Sequence, residues 1–211
     1  MNPFVLDLLY ALEDPIIFEF GACDGGDTIE LAQFGFKKFY TFEPDPRNLE
    51  IIRKRGLPDG VVLVPKAVGR SVGRAHLYQS TNVMPEGYVW TASSSLKEPN
   101  KESNTHYDSN LKFDAKVDVD VVSLDSFCQE FEIPYIDFIW ADIQGAEVDL
   151  IAGGKEMIPR THYLFMEHES SSVYQGVWSY KEMLAALPGW RVLEKFPNDV
   201  LLENTQWTPR P

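Results

Sequence analysis

Basic side chains are scarce in this chain of 211 residues, which carries 19 Lys and Arg against 32 Asp and Glu and has a formal net charge of −13. Binding to a nucleic-acid backbone requires clustered Lys and Arg, so this balance argues against a nucleic-acid partner. Long apolar runs are absent as well, because no stretch approaches the ~20 residues that cross a bilayer. We therefore expect no membrane partner, whereas a neutral small molecule such as a sugar or a polyketide is permitted.

Cysteine is nearly absent too, and Cys23 and Cys128 lie far apart without metal-ligand spacing. We expect both thiols to be reduced, which favours a cytoplasmic location. The N-terminal segment MNPFVLDLLYALEDP lacks the basic region and the cleavage site of a signal peptide, so we expect a short amphipathic helix against one side of the sheet. The length suits one domain over residues 1–211 and predicts no particular oligomeric state.

Apolar runs alternate with helix-like segments, a pattern typical of an α/β sheet with helices on both faces. Strands are predicted at residues 16–20, 38–42, 61–65, 136–141 and 163–167, and a C-terminal antiparallel hairpin at 190–196 and 200–203. Helices are predicted at 27–34 with Asp27 as the cap, 46–55, 147–152 with Gly153 and Gly154 ending it, and 179–187.

Residues 70–120 depart from this alternation. Residues 74–79 and 116–122 alternate polar and apolar side chains and are predicted strands, whereas 80–110 is rich in Ser, Asn, Pro and Gly. A run of this length without periodicity inside a compact domain is usually functional or mobile. We expect a lid or a disordered loop, inserted at about residues 70–120.

A glycine-rich turn follows the first predicted strand in the sequence IIFEFGACDGG. Backbone approaches a bulky ligand closely only where side chains are absent, so Gly21 and Gly25 suggest a nucleotide-like cofactor, although a turn without a ligand gives the same pattern. The turn is not G-x-G-x-x-G and carries Asp24, which would repel a pyrophosphate. S-adenosylmethionine has no phosphate and a positive sulfonium, so it fits this turn better than NAD does.

An acidic residue, Glu43, ends the second predicted strand and is followed by Pro44. In a βαβ unit this position lies where a carboxylate accepts hydrogen bonds from both ribose hydroxyls of an adenosine. Glu43 and Pro44 are therefore predicted to bind the cofactor.

Further acidic groups collect at the same predicted edge of the sheet. Asp142 ends the strand of IDFIWADIQGAEVDLIAGG, and Glu167, His168 and Glu169 end another. Buried acids that converge raise one another's pKa, which suits a general base, and His168 is a candidate because the unperturbed histidine pKa lies near neutrality. A divalent metal on Asp142, Glu167 and a water is conceivable, but no ligand spacing requires one and we expect no metal.

The whole succession of motifs resembles the FkbM family of S-adenosylmethionine-dependent methyltransferases over about residues 16–169. The motifs are, in order, FEFGACDGGDT, FYTFEPDPRN, VPKAVG, SSSL, VVSLDSF, IDFIWADIQGAEVDLIAGG and LFMEHE. FEPDPRN and DIQGAE are the most specific. The family's D-x-E-G-A-E is D-I-Q-G-A-E here, so Gln144 removes one charge and disfavours a mechanism that requires residue 144 as a base.

The resemblance implies a class I methyltransferase fold, Rossmann-like, with a mostly parallel seven-stranded sheet, and methyl transfer to a hydroxyl of a sugar or a polyketide-type product. It also implies a set of cofactor contacts. These are Glu19, Gly21 and Cys23 at the methionine part, Glu43 at the ribose, Lys66, Ala67 and Val68 at the adenine edge, Asp142 and Gln144 at the reacting centre, and Ser94 with its neighbours Ser93 and Ser95 closing over the cofactor.

We expect an O-methyltransferase acting on a carbohydrate or a related alcohol, with Asp142 ahead of His168 as the base because motif position supports it. Aromatic residues in predicted loops form an acceptor wall or pack ordinarily; they are Tyr88, Trp90, Tyr107, Tyr174 and Trp178. Methylation of a nitrogen or a protein side chain is an alternative, weakened because ADIQ stands where N-P-P-Y would be expected. A non-catalytic cofactor-binding module of a larger carbohydrate-modifying protein is another.

Overall fold

The computed structural model describes residues 3–36, 38–100, 111–168 and 173–208. Its helices are α1 Pro3–Tyr10, α2 Gly26–Ala32, α3 Pro46–Arg55, α4 Leu124–Glu130, α5 Glu147–Gly153 and α6 Tyr180–Ala185, with a 3-10 turn at Ile158–Arg160. Its strands are β1 Ile16–Phe20, β2 Lys38–Phe42, β3 Val61–Val64, β4 Ala67–Val68, β5 Gly73–Gln79, β6 Asn82–Val83, β7 Val89–Trp90, β8 Ala115–Val122, β9 Ile136–Ala141, β10 Thr161–Glu167, β11 Trp190–Lys195 and β12 Asp199–Asn204. Within these ranges no helix has the length and apolarity needed to cross a membrane.

A seven-stranded sheet in the order β11-β12-β10-β9-β1-β2-β3 forms the centre of the molecule. The five strands β3, β2, β1, β9 and β10 run parallel, and β12 pairs antiparallel with both β10 and β11. This confirms the class I methyltransferase fold with its C-terminal antiparallel hairpin. The parallel strands bring their carboxyl ends to one edge, where open α/β sheets bind ligands.

Consecutive side chains of β1 point to opposite faces of the sheet, and each face receives apolar ones. Helices therefore cover both faces. Phe18 packs in a large cluster with Phe127 of α4, whereas Ile17 packs in a second cluster with Val5 and Leu9 of α1. The N-terminal helix therefore lies against one side of the sheet, as the sequence predicts.

The boundaries of several helices differ from the predictions. Helix α2 begins one residue earlier, with Gly25 as a left-handed N-cap, so Asp27 lies inside the first turn and the prediction that it caps the helix is wrong. Gly153 lies within α5 rather than after it. Helix α4 was not predicted; Ser123 and Ser126 begin it with a reciprocal capping box, in which each side chain accepts a backbone N–H of the other residue.

Strands between residues 67 and 122 form a second sheet, in the order β4-β8-β5, and the short ribbon β6-β7. The ribbon lies in the segment where the sequence predicts a lid or a disordered loop. Residues 91–96 follow it and run beside the carboxyl edge of the large sheet, where they line a cavity. Tyr107 lies outside the described residues.

Candidate active site

A cavity of about 540 Å³, measured with its open mouth, lies at the carboxyl edge of the large sheet. The walls come from the ends of β1, β2 and β9, the turn between β3 and β4, and segment 91–96. The predicted site residues that line it are Gly21, Cys23, Glu43, Pro44, Lys66, Ala67, Val68, Ser94, Ser95, Asp142 and Gln144.

The ends of β1 and β9 contact each other at Gly21. Its φ is +95°, and a Cβ built there would lie 1.9 Å from the backbone oxygen of Asp142. Any side chain at this position would collide with the neighbouring strand end. The contact between two strands therefore requires glycine at position 21, whatever ligand the turn holds.

Glu43 is a buried carboxylate on the cavity wall, with 4% of its surface exposed. Its Oε2 accepts the backbone N–H of Cys23 at 2.8 Å and its Oε1 accepts that of Asp45 at 2.7 Å. Burial raises the pKa of Glu43 to about 8. Burial, together with the nearby Glu43 and Asp24 carboxylates, raises the pKa of the Cys23 thiol to about 12, so a thiolate nucleophile is disfavoured.

Asp45 begins α3 and holds the covering segment in place. Its buried carboxylate accepts hydrogen bonds from Ser94 Oγ at 3.1 Å, from Gln79 Nε2 at 2.9 Å and from the guanidinium of Arg47 at 2.6 Å. On the other side, Ser95 Oγ donates to the backbone oxygen of Gln144 at 2.7 Å. The serine segment thus spans the cavity from the end of β2 to the turn after β9.

The turn after β9 assembles polar groups beside the cavity. Gln144 Nε2 donates to Asp142 Oδ1 at 2.8 Å and to Glu167 Oε2 at 3.1 Å. Buried Glu147 accepts the backbone N–H of Ile143 at 3.0 Å, and burial raises its pKa to about 8. Desolvation by the surrounding protein atoms also raises the pKa of Asp142. One side of the residue faces the open cavity and is exposed there.

Four predicted cofactor contacts lie outside the cavity lining, namely Glu19, Asp24, Gly25 and Ser93. The carboxylate of Glu19 is 1% exposed and accepts hydrogen bonds from Thr28 Oγ1 at 2.5 Å and Thr41 Oγ1 at 2.6 Å, so it joins β1, α2 and β2. Burial raises its pKa to about 7. Asp24 pairs with Arg55 at 2.9 Å, and Gly25 packs against α3.

Among the predicted catalytic residues, Glu167 reaches the cavity through Gln144, while His168 is buried with its ring against that of Tyr180, 4.9 Å between centroids. His168 does not line the cavity. Glu169 lies outside the described residues. In the described parts of the chain, no group of three or more His, Cys, Asp or Glu side chains has the arrangement of a metal site.

Several residues that line the cavity were not predicted from the sequence. The additional lining residues are Phe20, Phe42, Asn48, Leu77, Thr91, Ala92, Leu96, Ile143 and Ala146. Six of them belong to motifs that the sequence analysis quotes: Phe20 to FEFGACDGGDT, Phe42 and Asn48 to FEPDPRN, Leu96 to SSSL, and Ile143 and Ala146 to DIQGAE. Leu77, Thr91 and Ala92 lie outside those motifs, and no local pattern marks them as cavity residues.

Comparison with known proteins identifies the family of this chain. A family model described as "Methyltransferase FkbM domain" matches residues 19–195. The chain belongs to the FkbM family of S-adenosylmethionine-dependent methyltransferases.

One relative of this FkbM chain is the 2-O-methyltransferase NoeI of Sinorhizobium fredii (strain NBRC 101917 / NGR234). The two are 33% identical over 199 residues, covering 92% of this chain and 81% of the relative. An FkbM methyltransferase structure from Methylobacillus flagellatus KT superimposes with a TM-score of 0.54 at 15% identity, over 92% of this chain and 45% of that one, so this chain spans less than half of the longer protein. A SAM-dependent methyltransferase from Anabaena variabilis ATCC 29413 gives a TM-score of 0.50 at 10% identity, over 96% of this chain and 84% of that one.

The two most specific FkbM motifs of the chain meet at the serine segment. Asp45 of FEPDPRN accepts a hydrogen bond from Ser94, and Gln144 of DIQGAE accepts one from Ser95. SSSL therefore links the other two motifs across the cavity.

Proposed function

We propose that this FkbM methyltransferase transfers a methyl group from S-adenosylmethionine to a hydroxyl of a carbohydrate or a related small-molecule alcohol. The observation that carries the proposal is the carboxylate of Asp142 on the cavity wall, in a chain 33% identical to a relative named as a 2-O-methyltransferase. A carboxylate with a raised pKa beside a ligand cavity is a candidate general base.

The residues of the cavity fit the cofactor. A carboxylate has about four lone-pair sites. Glu43 accepts two backbone N–H groups and the side chain of Asn48, so it retains capacity for a ribose hydroxyl. Val68, Leu77 and Leu96 form an apolar wall suited to a flat base. When bound, S-adenosylmethionine supplies an electrophilic methyl on a sulfonium, which departs as a neutral thioether.

Asp142 has two tasks in this proposal. It orients the acceptor hydroxyl, which must lie about 3 to 3.5 Å from the methyl carbon and in line with it. It then accepts the hydroxyl proton while the carbon–oxygen bond forms. The burial of His168 against Tyr180, outside the cavity lining, supports Asp142 over His168 as the base.

The acceptor is proposed to approach along the ribbon β6-β7. A second groove there is lined by Asn82, Trp90 and Asp114 among others, and Trp90 is followed directly by Thr91 and Ala92 of the cavity. Trp90 Nε1 donates to Ser93 Oγ at 2.9 Å, which fixes the ring and leaves 36% of the residue exposed. An aromatic face beside polar side chains suits a sugar ring.

The other aromatics of the predicted wall are placed differently. Tyr174 is 2% exposed, and Trp178 lines a separate groove together with Trp190 and Leu187. The acceptor wall that we propose is therefore restricted to Trp90 and its exposed neighbour Tyr88.

A binding and turnover assay tests the proposal. We expect S-adenosylhomocysteine to bind in a calorimetric titration, and methyl transfer from S-adenosylmethionine to occur to at least one methyl glycoside in a panel of fucoside, rhamnoside and glucoside. Asp142→Asn should lower kcat by about 100-fold or more, because a general base contributes that much, while S-adenosylhomocysteine affinity changes little. Asp118→Asn, exposed on β8, serves as the control.

Other outcomes would overturn the assignment. Binding of S-adenosylhomocysteine without turnover of any hydroxyl acceptor favours the non-catalytic module. Turnover of amines alone favours nitrogen methylation.

A further inference from the structure

The side-chain amide of Gln144 is engaged at both ends. Its Nε2 donates to Asp142 Oδ1 at 2.8 Å and Glu167 Oε2 at 3.1 Å, and the Tyr174 hydroxyl lies 3.1 Å from its Oε1. An amide nitrogen has two protons, and here each is directed at a carboxylate, while the amide oxygen faces a hydroxyl. The orientation of the amide therefore determines how the two carboxylates are held.

Tyr174 lies at the other end of the amide. Its hydroxyl is 2.5 Å from the backbone oxygen of Ser93 and 3.1 Å from Gln144 Oε1, so its single proton can go to either oxygen. Burial raises the pKa of Tyr174 above its ordinary value, and the hydroxyl therefore stays protonated at neutral pH. A flipped Gln144 would point its oxygen at the two carboxylates and lose both donated hydrogen bonds, whereas Tyr174 can donate to Ser93 and accept from the amide nitrogen. The two carboxylates therefore set the orientation of the amide, and Tyr174 packs against it.

We infer that Gln144, in contact with Tyr174, is a positioning residue that fixes the Asp142 and Glu167 carboxylates at the acceptor end of the cavity. This rests on the proposed role of Asp142 as the base. Glutamate at position 144 would place three carboxylates in mutual contact and force them to share protons. Glutamine instead supplies a neutral donor to both, which favours the ionised Asp142 that a general base requires.

Other acidic groups around Asp142 act against its ionisation and must be held constant in any test. Those that interact with it electrostatically are Asp27 of α2, Glu19 of β1, Glu147 of α5 and Asp199 of β12, together with Tyr174.

A carboxyl titration in the full chain tests the positioning role without any acceptor. With ¹³C-labelled aspartate side chains, and Asp142→Asn to assign the signal, we expect Gln144→Glu to raise the apparent pKa of Asp142 by about 1 or more, because a like charge replaces a donor. Gln129→Glu adds the same charge on the exposed end of α4 and should leave that pKa unchanged.

A double-mutant cycle tests whether Tyr174 affects the titration of Asp142 through Gln144. Tyr174→Phe should raise the pKa of Asp142 by a smaller amount, because its hydroxyl contacts the Gln144 amide and, being protonated, places no charge beside Asp142. In the Gln144→Met background, Tyr174→Phe should then have no further effect. Tyr10→Phe, at an exposed position in α1, is the matched control.

The inference is overturned if Gln144→Glu and Tyr174→Phe leave the Asp142 titration unchanged, or if the two substitutions at 144 and 174 are additive. S-adenosylhomocysteine affinity is measured in the same variants as a separate readout, because Gln144 itself lines the cavity. These readouts do not depend on the acceptor, so a failure to find turnover would reject the proposed function while the positioning role is still decided by the titration.

Discussion

Glu43 connects protonation to cofactor binding at the scale of a single residue. Its pKa is raised to about 8 by burial, so below that pH the carboxyl of the ligand-free chain is largely protonated. Ribose hydroxyls donate hydrogen bonds and therefore favour the ionised form. Binding of the nucleoside should displace a proton from Glu43.

We predict that the dissociation constant of S-adenosylhomocysteine falls as pH rises from about 6 to about 8, by up to about tenfold per pH unit. Titration calorimetry in buffers of different ionisation enthalpy should detect proton release. Glu43→Gln should weaken binding and abolish the pH dependence, whereas the exposed Glu13→Gln should change neither. A pH-independent affinity in the parent chain would contradict this role for Glu43.

Residues at strand ends were the ones that sequence could locate. Glu43 and Asp142 follow strands whose apolar runs are unmistakable, and both line the cavity. Glu19 lies within β1, two residues after Ile17, and strand alternation directs both side chains to the same face. Its role as a cofactor contact stays a prediction, while its hydrogen bonds to Thr28 and Thr41 give it a structural task.

At the scale of elements, the N-terminus of α3 and the serine segment form one unit through Asp45. The Asp45 carboxylate accepts from Ser94, Gln79 and Arg47, so β5, α3 and the covering segment all depend on it. Arg47 is 31% exposed, which limits the strength of the ion pair, but Asp45 itself has no exposed surface.

We predict that Asp45→Asn destabilises the fold by about 1–3 kcal/mol, because a buried acceptor for three donors is weakened. Hydrogen exchange should accelerate in residues 80–96 before it does in β1 or β9. S-adenosylhomocysteine affinity should also fall, since the attachment of the covering segment to α3 is weakened. Asp59→Asn, on an exposed turn, is the control, and uniform exchange rates in the two proteins would count against the clamp.

Elements with strong periodicity were predictable and the remainder were not. The strands β1, β2 and β9 have the predicted bounds because each is a buried apolar run flanked by polar turns. Helix α4 is short, and its start depends on a serine capping box that a hydrophobic pattern does not reveal. The ribbon β6-β7 has only two paired positions, too few for an alternating signal.

For the whole molecule, buried carboxyl groups and net negative charge both lower the stability of the fold as pH rises. Glu19 has a pKa of about 7 in the folded chain, and Glu43 and Glu147 of about 8, all above the ordinary glutamate value. Between the unfolded and the folded pKa values the native state binds more protons than the unfolded state, so the free energy of unfolding falls as pH rises. The net charge of −13 adds self-repulsion.

We predict that the chain is less stable at about pH 8.5 than at about pH 6, measured by urea denaturation. Glu19→Gln mimics the protonated carboxyl, so it should reduce this loss by an amount on the order of 1–3 kcal/mol. Added salt should screen the surface repulsion and leave the difference between parent and variant intact. Glu13→Gln is the exposed control, and a Glu19→Gln variant with the parent's pH slope would refute the assignment.

The close approach of Gly21 to the backbone of Asp142 also limits how this enzyme can be redesigned. Since even a methyl group at position 21 would overlap the adjoining strand, this position on the inner wall accepts no side chain. Val83, Tyr88 and Val89 on the outer ribbon expose much of their surface and carry little packing. Libraries aimed at new acceptors should therefore diversify the ribbon and leave the strand ends untouched.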